Sequence, residues 1–214
     1  MKRAAACLIL LCAGCAGLAE AGPERGLVPY ACGDETAVAR FSDGAVSLAL
    51  TEADLRLPQV PAASGARYEA DGTLFWIRGE EALLERAGGP ARTCAVGPPA
   101  RWRDAAEAGT DLRAVGQEPG WLLDLDLGKG IVLRADYGET VVSTPAPAPG
   151  AGTLSWHARA GSRRLSVAAE ERVCRDAMSG QPYPLAVAVT LDEQVLHGCG
   201  TWLGGSHPMA TAPR

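Results

Sequence analysis

The chain has 214 residues, 47% hydrophobic and 21% charged, which suits one large or two small globular domains and excludes an intrinsically disordered chain. Its 20 basic and 25 acidic residues leave a net charge of −5 with no basic block, so nucleic-acid binding has no electrostatic footprint. Three His and two Phe leave little material for imidazole-built metal sites or aromatic stacking platforms, and no metal or cofactor is expected.

The first element is a leader. Lys2 and Arg3 precede an apolar run, Ala4 to Leu11, that is too short to span a bilayer, so residues 1–21 read as a signal peptide and tether. Ala13-Gly14-Cys15 resembles a bacterial lipobox, in which the Cys is lipidated and becomes the mature N-terminus. Cys12 stands where such motifs usually carry Leu. Lipidation at Cys15 is the expectation, and ordinary cleavage after Ala19 or Ala21 is the alternative. The expected place is the bacterial envelope: an outer-membrane lipoprotein facing the periplasm or the cell surface, or else a soluble periplasmic protein.

Short strand-like runs follow: Val28–Cys32, Ala37–Phe41, Ala45–Leu50, Arg67–Ala70 and Thr73–Arg78, separated by Gly, Asp and Pro. Asp43-Gly44 and Asp71-Gly72 read as hairpin turns, since Gly supplies the positive φ such turns need. Glu80–Glu85 is mildly helical and acidic, unless the next strand absorbs it. Gly97-Pro98-Pro99 breaks the chain and marks a domain boundary. A second β-rich block holds Trp121–Leu125, Ile131–Ala135, Glu139–Ser143, Thr153–Ala158, Arg164–Ala168, Leu185–Thr190 and Gln194–Gly198. Within it, the Pro-rich stretch Thr144–Gly150 reads as an exposed loop. The fold class is therefore all-β: a small antiparallel barrel over 28–96, a second β-rich antiparallel domain over 100–203, and a tail at 204–214.

Outside the leader four Cys remain: Cys32, Cys94, Cys174 and Cys199. An even set in an oxidising compartment reads as two disulfides. Of three connectivities, Cys32–Cys94 and Cys174–Cys199 is the economical one, with one bridge per domain.

Taking Asp71-Gly72 as a two-residue turn fixes a register. Ala70 faces Thr73, Glu69 faces Leu74, Tyr68 faces Phe75 and Arg67 faces Trp76, with Gly65 opposite Arg78. Alternation then puts Tyr68, Phe75 and Ile77 on a core face and Arg67, Trp76 and Arg78 on the other. Ser64 at the open end sits beside Arg78. A hydroxyl and a guanidinium on one rim suit recognition of carboxylates.

The order Tyr30-Ala31-Cys32, Ser42-Asp43-Gly44, Ala63-Ser64-Gly65-Ala66-Arg67-Tyr68, Phe75-Trp76, Arg78-Gly79, Ala82 and the closing Cys94 resembles the c-type lysozyme inhibitor family, MliC and PliC. The resemblance covers roughly residues 28–96. It implies a small antiparallel barrel, frequent lipid anchoring, and a Ser-Gly-x-x-Tyr loop that enters the lysozyme cleft and meets its catalytic carboxylates. Carried over, the partner-binding set is Ser64, Gly65, Arg67, Tyr68 and Arg78, with Arg78 standing where the family has Lys. Arg keeps the charge on a rigid planar fork. The partner implied is c-type lysozyme, and an acidic chain suits a basic one.

In the second block, Gly116-Gln117-Glu118-Pro119-Gly120-Trp121, the run Cys174 to Pro184 and Leu196-His197-Gly198-Cys199-Gly200 resemble an uncharacterised bacterial envelope domain. Asp176, Ser179 and Trp121 are candidates for a ligand pocket there, against a structural turn pinned by a disulfide. Ser179, Asp176 and His197 make a triad on paper, but no nucleophile elbow frames the Ser, and no enzyme is expected. Asp124 and Asp126 share a strand face and read as solvated rather than cation-binding. The competing reading of the whole is an envelope structural or ligand-binding lipoprotein without inhibitory activity.

Overall fold

The computed structural model describes residues 26–152 and 154–204; the leader, Cys15 and the tail from residue 205 lie outside them. Eight strands come first: β1 (Leu27–Cys32), β2 (Glu35–Ser42), β3 (Ala45–Ala49), β4 (Asp54–Val60), β5 (Ala66–Ala70), β6 (Thr73–Arg78), β7 (Glu81–Glu85) and β8 (Arg92–Val96). Each pairs antiparallel with the next, and β1 pairs with β8 at Tyr30↔Val96 and Ala31↔Ala95, so the sheet closes into a barrel. Closure leaves no open edge. Inward residues alternate along the strands and build one core around Tyr30, Phe41, Leu48, Tyr68, Phe75 and Ile77. Tyr30 meets Phe75 edge-on at 5.2 Å. Burial, with a smaller contribution from Tyr68, pushes the Tyr30 phenol far above its ordinary value. The Cys32–Cys94 disulfide joins β1 to β8 beside the closing pairs.

Two segments differ from the sequence expectation. Residues 81–85 are strand, not helix. Glu, Ala and Leu are good helix formers, but Ala82 and Leu84 alternate with exposed glutamates and fill the barrel wall. The other is β4, hidden by Pro58. That proline faces Ala45 on β3, and the next residue, Gln59, donates its N–H to the Gly44 carbonyl.

After a 3-10 turn (Ala100–Trp102) and one short helix, α1 (Arg103–Glu107), come β9 (Leu112–Gln117), β10 (Gly120–Asp126), β11 (Gly130–Ala135), β12 (Thr140–Ser143), β13 (Ala148–Pro149), β14 (Ser155–Ala160), β15 (Arg163–Arg175), β16 (Pro182–Leu191) and β17 (Gln194–Trp202). They form one curled antiparallel sheet in the order β12-β11-β10-β9-β17-β16-β15-β14-β13. Its two edge strands are consecutive in the chain. The Pro-rich stretch read as a loop therefore runs from one edge of the sheet to the other, and its Ala148 and Pro149 pair with His157 and Trp156. The apolar face encloses Leu123, Ile131, Leu133, Val187, Val189 and neighbours. Cys174–Cys199 is the second disulfide, as the economical pairing has it.

The two bodies touch along β1, β2, β3 and the start of β4. Thr36 Oγ1 donates to the Pro182 carbonyl at 3.0 Å, and Gln181 Nε2 donates to that of Asp34 at 3.0 Å. Arg175 donates to the Leu50 carbonyl and pairs with Asp54, each at 2.5 Å. Val173 packs on Leu27, Val38 and Ala49.

Candidate functional site

The β5–β6 hairpin has the register its turn dictates. Ala70↔Thr73, Glu69↔Leu74, Tyr68↔Phe75 and Arg67↔Trp76 face each other, and Asp71 and Gly72 both have positive φ (49° and 73°). Tyr68, Phe75 and Ile77 are buried, Tyr68 lying 5.9 Å from Phe41. Tyr68 is thus a buried member of the barrel core and not part of the exposed rim.

On the outer face Trp76 is the organiser. The Arg78 guanidinium lies 3.5 Å over its indole, while that of Arg67 sits 6.0 Å from the ring centroid and pairs with Glu69 at 2.7 Å. The indole Nε1 donates to the Ser64 carbonyl at 2.9 Å. That bond draws the 61–65 loop onto the hairpin. Gly65 makes the approach possible: its φ is +67°, and a Cβ there would come within 2.0 Å of the Ile77 carbonyl oxygen. Ser64, Gly65, Arg67 and Arg78 are therefore assembled on one rim, and Tyr68 lies beneath them. What sequence reasoning left out is the role of Trp76. A tryptophan on the outward phase of an alternating strand, between two outward arginines, was the available signal. Arg78 is aimed by that ring, not by Ser64.

No hydrogen bond joins Ser64 Oγ to another described residue. The rim thus offers a hydroxyl and two guanidiniums on a rigid support, donors without matching acceptors apart from Glu69. Such a set fits carboxylates.

The second constellation resolves as a turn. Asp176 is buried, and its carboxylate accepts from Ser179 N–H and Oγ at 2.7 Å each, from Met178 N–H at 3.2 Å and from Gln117 Nε2 at 2.7 Å. Burial raises its pKa, but hydrogen bonds from Gln117, Ser179 and Met178 outweigh that and hold the carboxyl below its ordinary value. Trp121 is not part of this group: its indole packs over Gly116 and Gly198 on the sheet's apolar face. Ser179 Oγ is spent on Asp176, and among the described residues no hydrogen bond links it to His197. Asp124 accepts from Arg113 at 2.6 and 3.0 Å and from Arg134 at 3.4 Å, and Asp126 pairs with Lys129 at 2.7 Å. These are salt bridges on a sheet surface. Among the described residues no cluster of His, Cys, Asp and Glu is arranged for a metal, and no helix is long and apolar enough to cross a membrane.

The chain thus carries a disulfide-closed antiparallel barrel with two arginines and a serine on one rim. The family described as membrane-bound lysozyme-inhibitor of c-type lysozyme, MliC, matches residues 30–92, which is the barrel and not the second sheet. A curated relative, the membrane-bound lysozyme inhibitor of C-type lysozyme of Yersinia enterocolitica serotype O:8 / biotype 1B (strain NCTC 13174 / 8081), is 36% identical over 80 residues. The aligned part is 36% of this chain and 66% of the relative, just under two thirds of its length. No solved structure matches the chain. The resemblance drawn from the barrel motifs is therefore found independently.

Proposed function

We propose that the protein is an inhibitor of c-type lysozyme, with the barrel over 28–96 as the inhibitory module and residues 100–203 as an envelope domain beside it. Lysozyme cleaves glycosidic bonds with a pair of carboxyl groups. In this reading the Ser64–Gly65 loop enters the cleft, Ser64 Oγ donates to one carboxylate and Arg78 supplies the charge-assisted contact. Neither step asks chemistry of the inhibitor. The single observation that carries the reading is the Trp76-centred rim. It fixes Ser64 and Arg78 before binding, so little conformational entropy is lost on association. The family match over residues 30–92 supports the choice of partner. For attachment we infer a lipid on Cys15, which lies outside the described residues; Cys15→Ser would then move the protein from the membrane pellet to the soluble fraction.

The test is a series of inhibition constants against one c-type lysozyme. Arg78→Glu is expected to lose about 2–5 kcal/mol of binding, part of it from an enzyme carboxylate left unpaired in a desolvated cleft. Ser64→Ala should lose about 1–3 kcal/mol. Arg78→Lys retains the charge and should keep inhibition. Equal inhibition by wild type, Ser64→Ala and Arg78→Glu rules out this rim. No inhibition by the wild type leaves the envelope-lipoprotein reading in place.

A further inference from the structure

The candidate rim does not stand alone. In an up-and-down barrel alternate connections share an end, so the 61–65 loop, the Gly79-Glu80 turn and the start of β1 lie together. At that end β17 of the second sheet runs beside the barrel. A cavity of about 270 Å³ opens between the two bodies, walled by Pro29 and Pro98 from one side and by Pro184 and Trp202 from the other. Two carboxylates line it, Glu80 and Glu171, and no lysine or arginine does among the described residues. Glu80 stands on fixed backbone, its carbonyl accepting the Val96 N–H at 2.8 Å. The Glu171 carboxylate is held by one oxygen, Oε1, which accepts the Leu27 N–H at 2.5 Å. Glu80 is two residues beyond Arg78, in the turn between β6 and β7.

We infer that this groove is a second contact for the lysozyme and receives a lysine or arginine side chain from the enzyme's surface; the inference rests on the inhibitor reading above. Apolar walls suit the methylene stem of such a side chain, whose charged head stays at a polar mouth. Glu80 and the Glu171 oxygen not bonded to Leu27 supply that mouth. A rim of cations beside a groove of carboxylates also makes the pairing directional: the first meets the enzyme's acidic cleft and the second its basic exterior. Complementary patches of this kind fix register and reject wrong partners. The second sheet would then be part of the inhibitor and not a passenger.

The experiment is calorimetric titration of the full chain, as wild type, Ser64→Ala, Glu80→Gln and Glu80→Arg, with a purified c-type lysozyme. Hydrogen exchange of the complex is measured in parallel. Glu80→Gln should weaken binding several-fold and Glu80→Arg by about tenfold or more, since like charges then meet. Amides of residues 201–204 on the second sheet should gain protection in the complex. Unchanged affinity of both Glu80 variants, with Ser64→Ala still weakened, overturns the groove and leaves the inhibitor reading intact. Weakening by Glu80→Arg without protection at 201–204 assigns the effect to neighbouring Arg78 and also overturns it. No binding by the wild type overturns both readings together.

Discussion

Two Ser-Gly turns, one in each body, do opposite things with the same residues. Gly65 and Gly180 have nearly the same φ, +67° and +69°. Around Ser64-Gly65 only the turn's own backbone is used: the Ser64 carbonyl accepts the Trp76 indole Nε1–H, and the hydroxyl makes no bond to another described residue. Around Ser179-Gly180 everything is used: the Ser179 hydroxyl and N–H both go to buried Asp176. A turn whose polar side chains are consumed internally is a brace, because binding a ligand there would first cost those bonds. A turn held by its backbone alone keeps its side chain for a partner. That contrast, more than the motif itself, separates the barrel's rim from the second sheet's loop.

The comparison is broken most severely at the two glycines. Gly65→Ala places a methyl within 2.0 Å of a backbone oxygen at positive φ, whereas at Gly180 the nearest atoms, from Thr51, are 3.5 Å away. Strained backbone of this kind costs about 1–3 kcal/mol, and the clash at Gly65 adds to it. Denaturant unfolding should therefore show Gly65→Ala as the larger loss, near or above about 3 kcal/mol, with Gly180→Ala closer to about 1 kcal/mol. Equal losses would mean that the 61–65 loop does not press on β6.

A middle-sized effect is expected at Asp176. Asp176→Asn should cost about 1–3 kcal/mol, since Asn has one acceptor oxygen where four donors converge. The folded carboxyl is held below its ordinary value, so the wild-type advantage is present above the unfolded value of about 3.9 and is lost as pH falls through the lower folded one. Stability of wild type and variant measured from pH 7 to pH 2 should converge at the acid end. A constant difference would show that the charge is not what holds the turn.

The smallest effect sharpens the comparison at Trp76. Trp76→Phe keeps a ring under Arg78 but removes the Nε1 donor to Ser64. Stability should fall by only about 0.5–1.5 kcal/mol. Inhibition should fall by more than stability does, because the loop loses its tie to the hairpin. Unchanged inhibition with a folded barrel would show that the loop needs no anchoring.

How much of this was legible in the sequence depends on the range of the interaction concerned. The hairpin register was readable residue by residue, since Asp71-Gly72 leaves one two-residue turn and alternation does the rest. The second sheet's brace was half legible: Met178-Ser179-Gly180 read as a turn pinned by the disulfide, but nothing local said that Gln117, 59 residues from Asp176, would complete it. Trp121 was grouped with Asp176 by motif and stands on the other face of the sheet.

The sequence by itself determined an all-β chain and a hairpin carrying Arg67, Trp76 and Arg78 outward, because turn chemistry and period-2 alternation act over a few residues; of three disulfide connectivities it favoured the economical one, which the structure has. Only the tertiary structure decided that residues 81–85 are strand, that β1 meets β8, that β9 lies beside β17, and that Glu80 and Trp202 line one groove. Those outcomes rest on pairings between distant segments. Their stability comes from burial shared across the sheet, which leaves no signature in either segment alone.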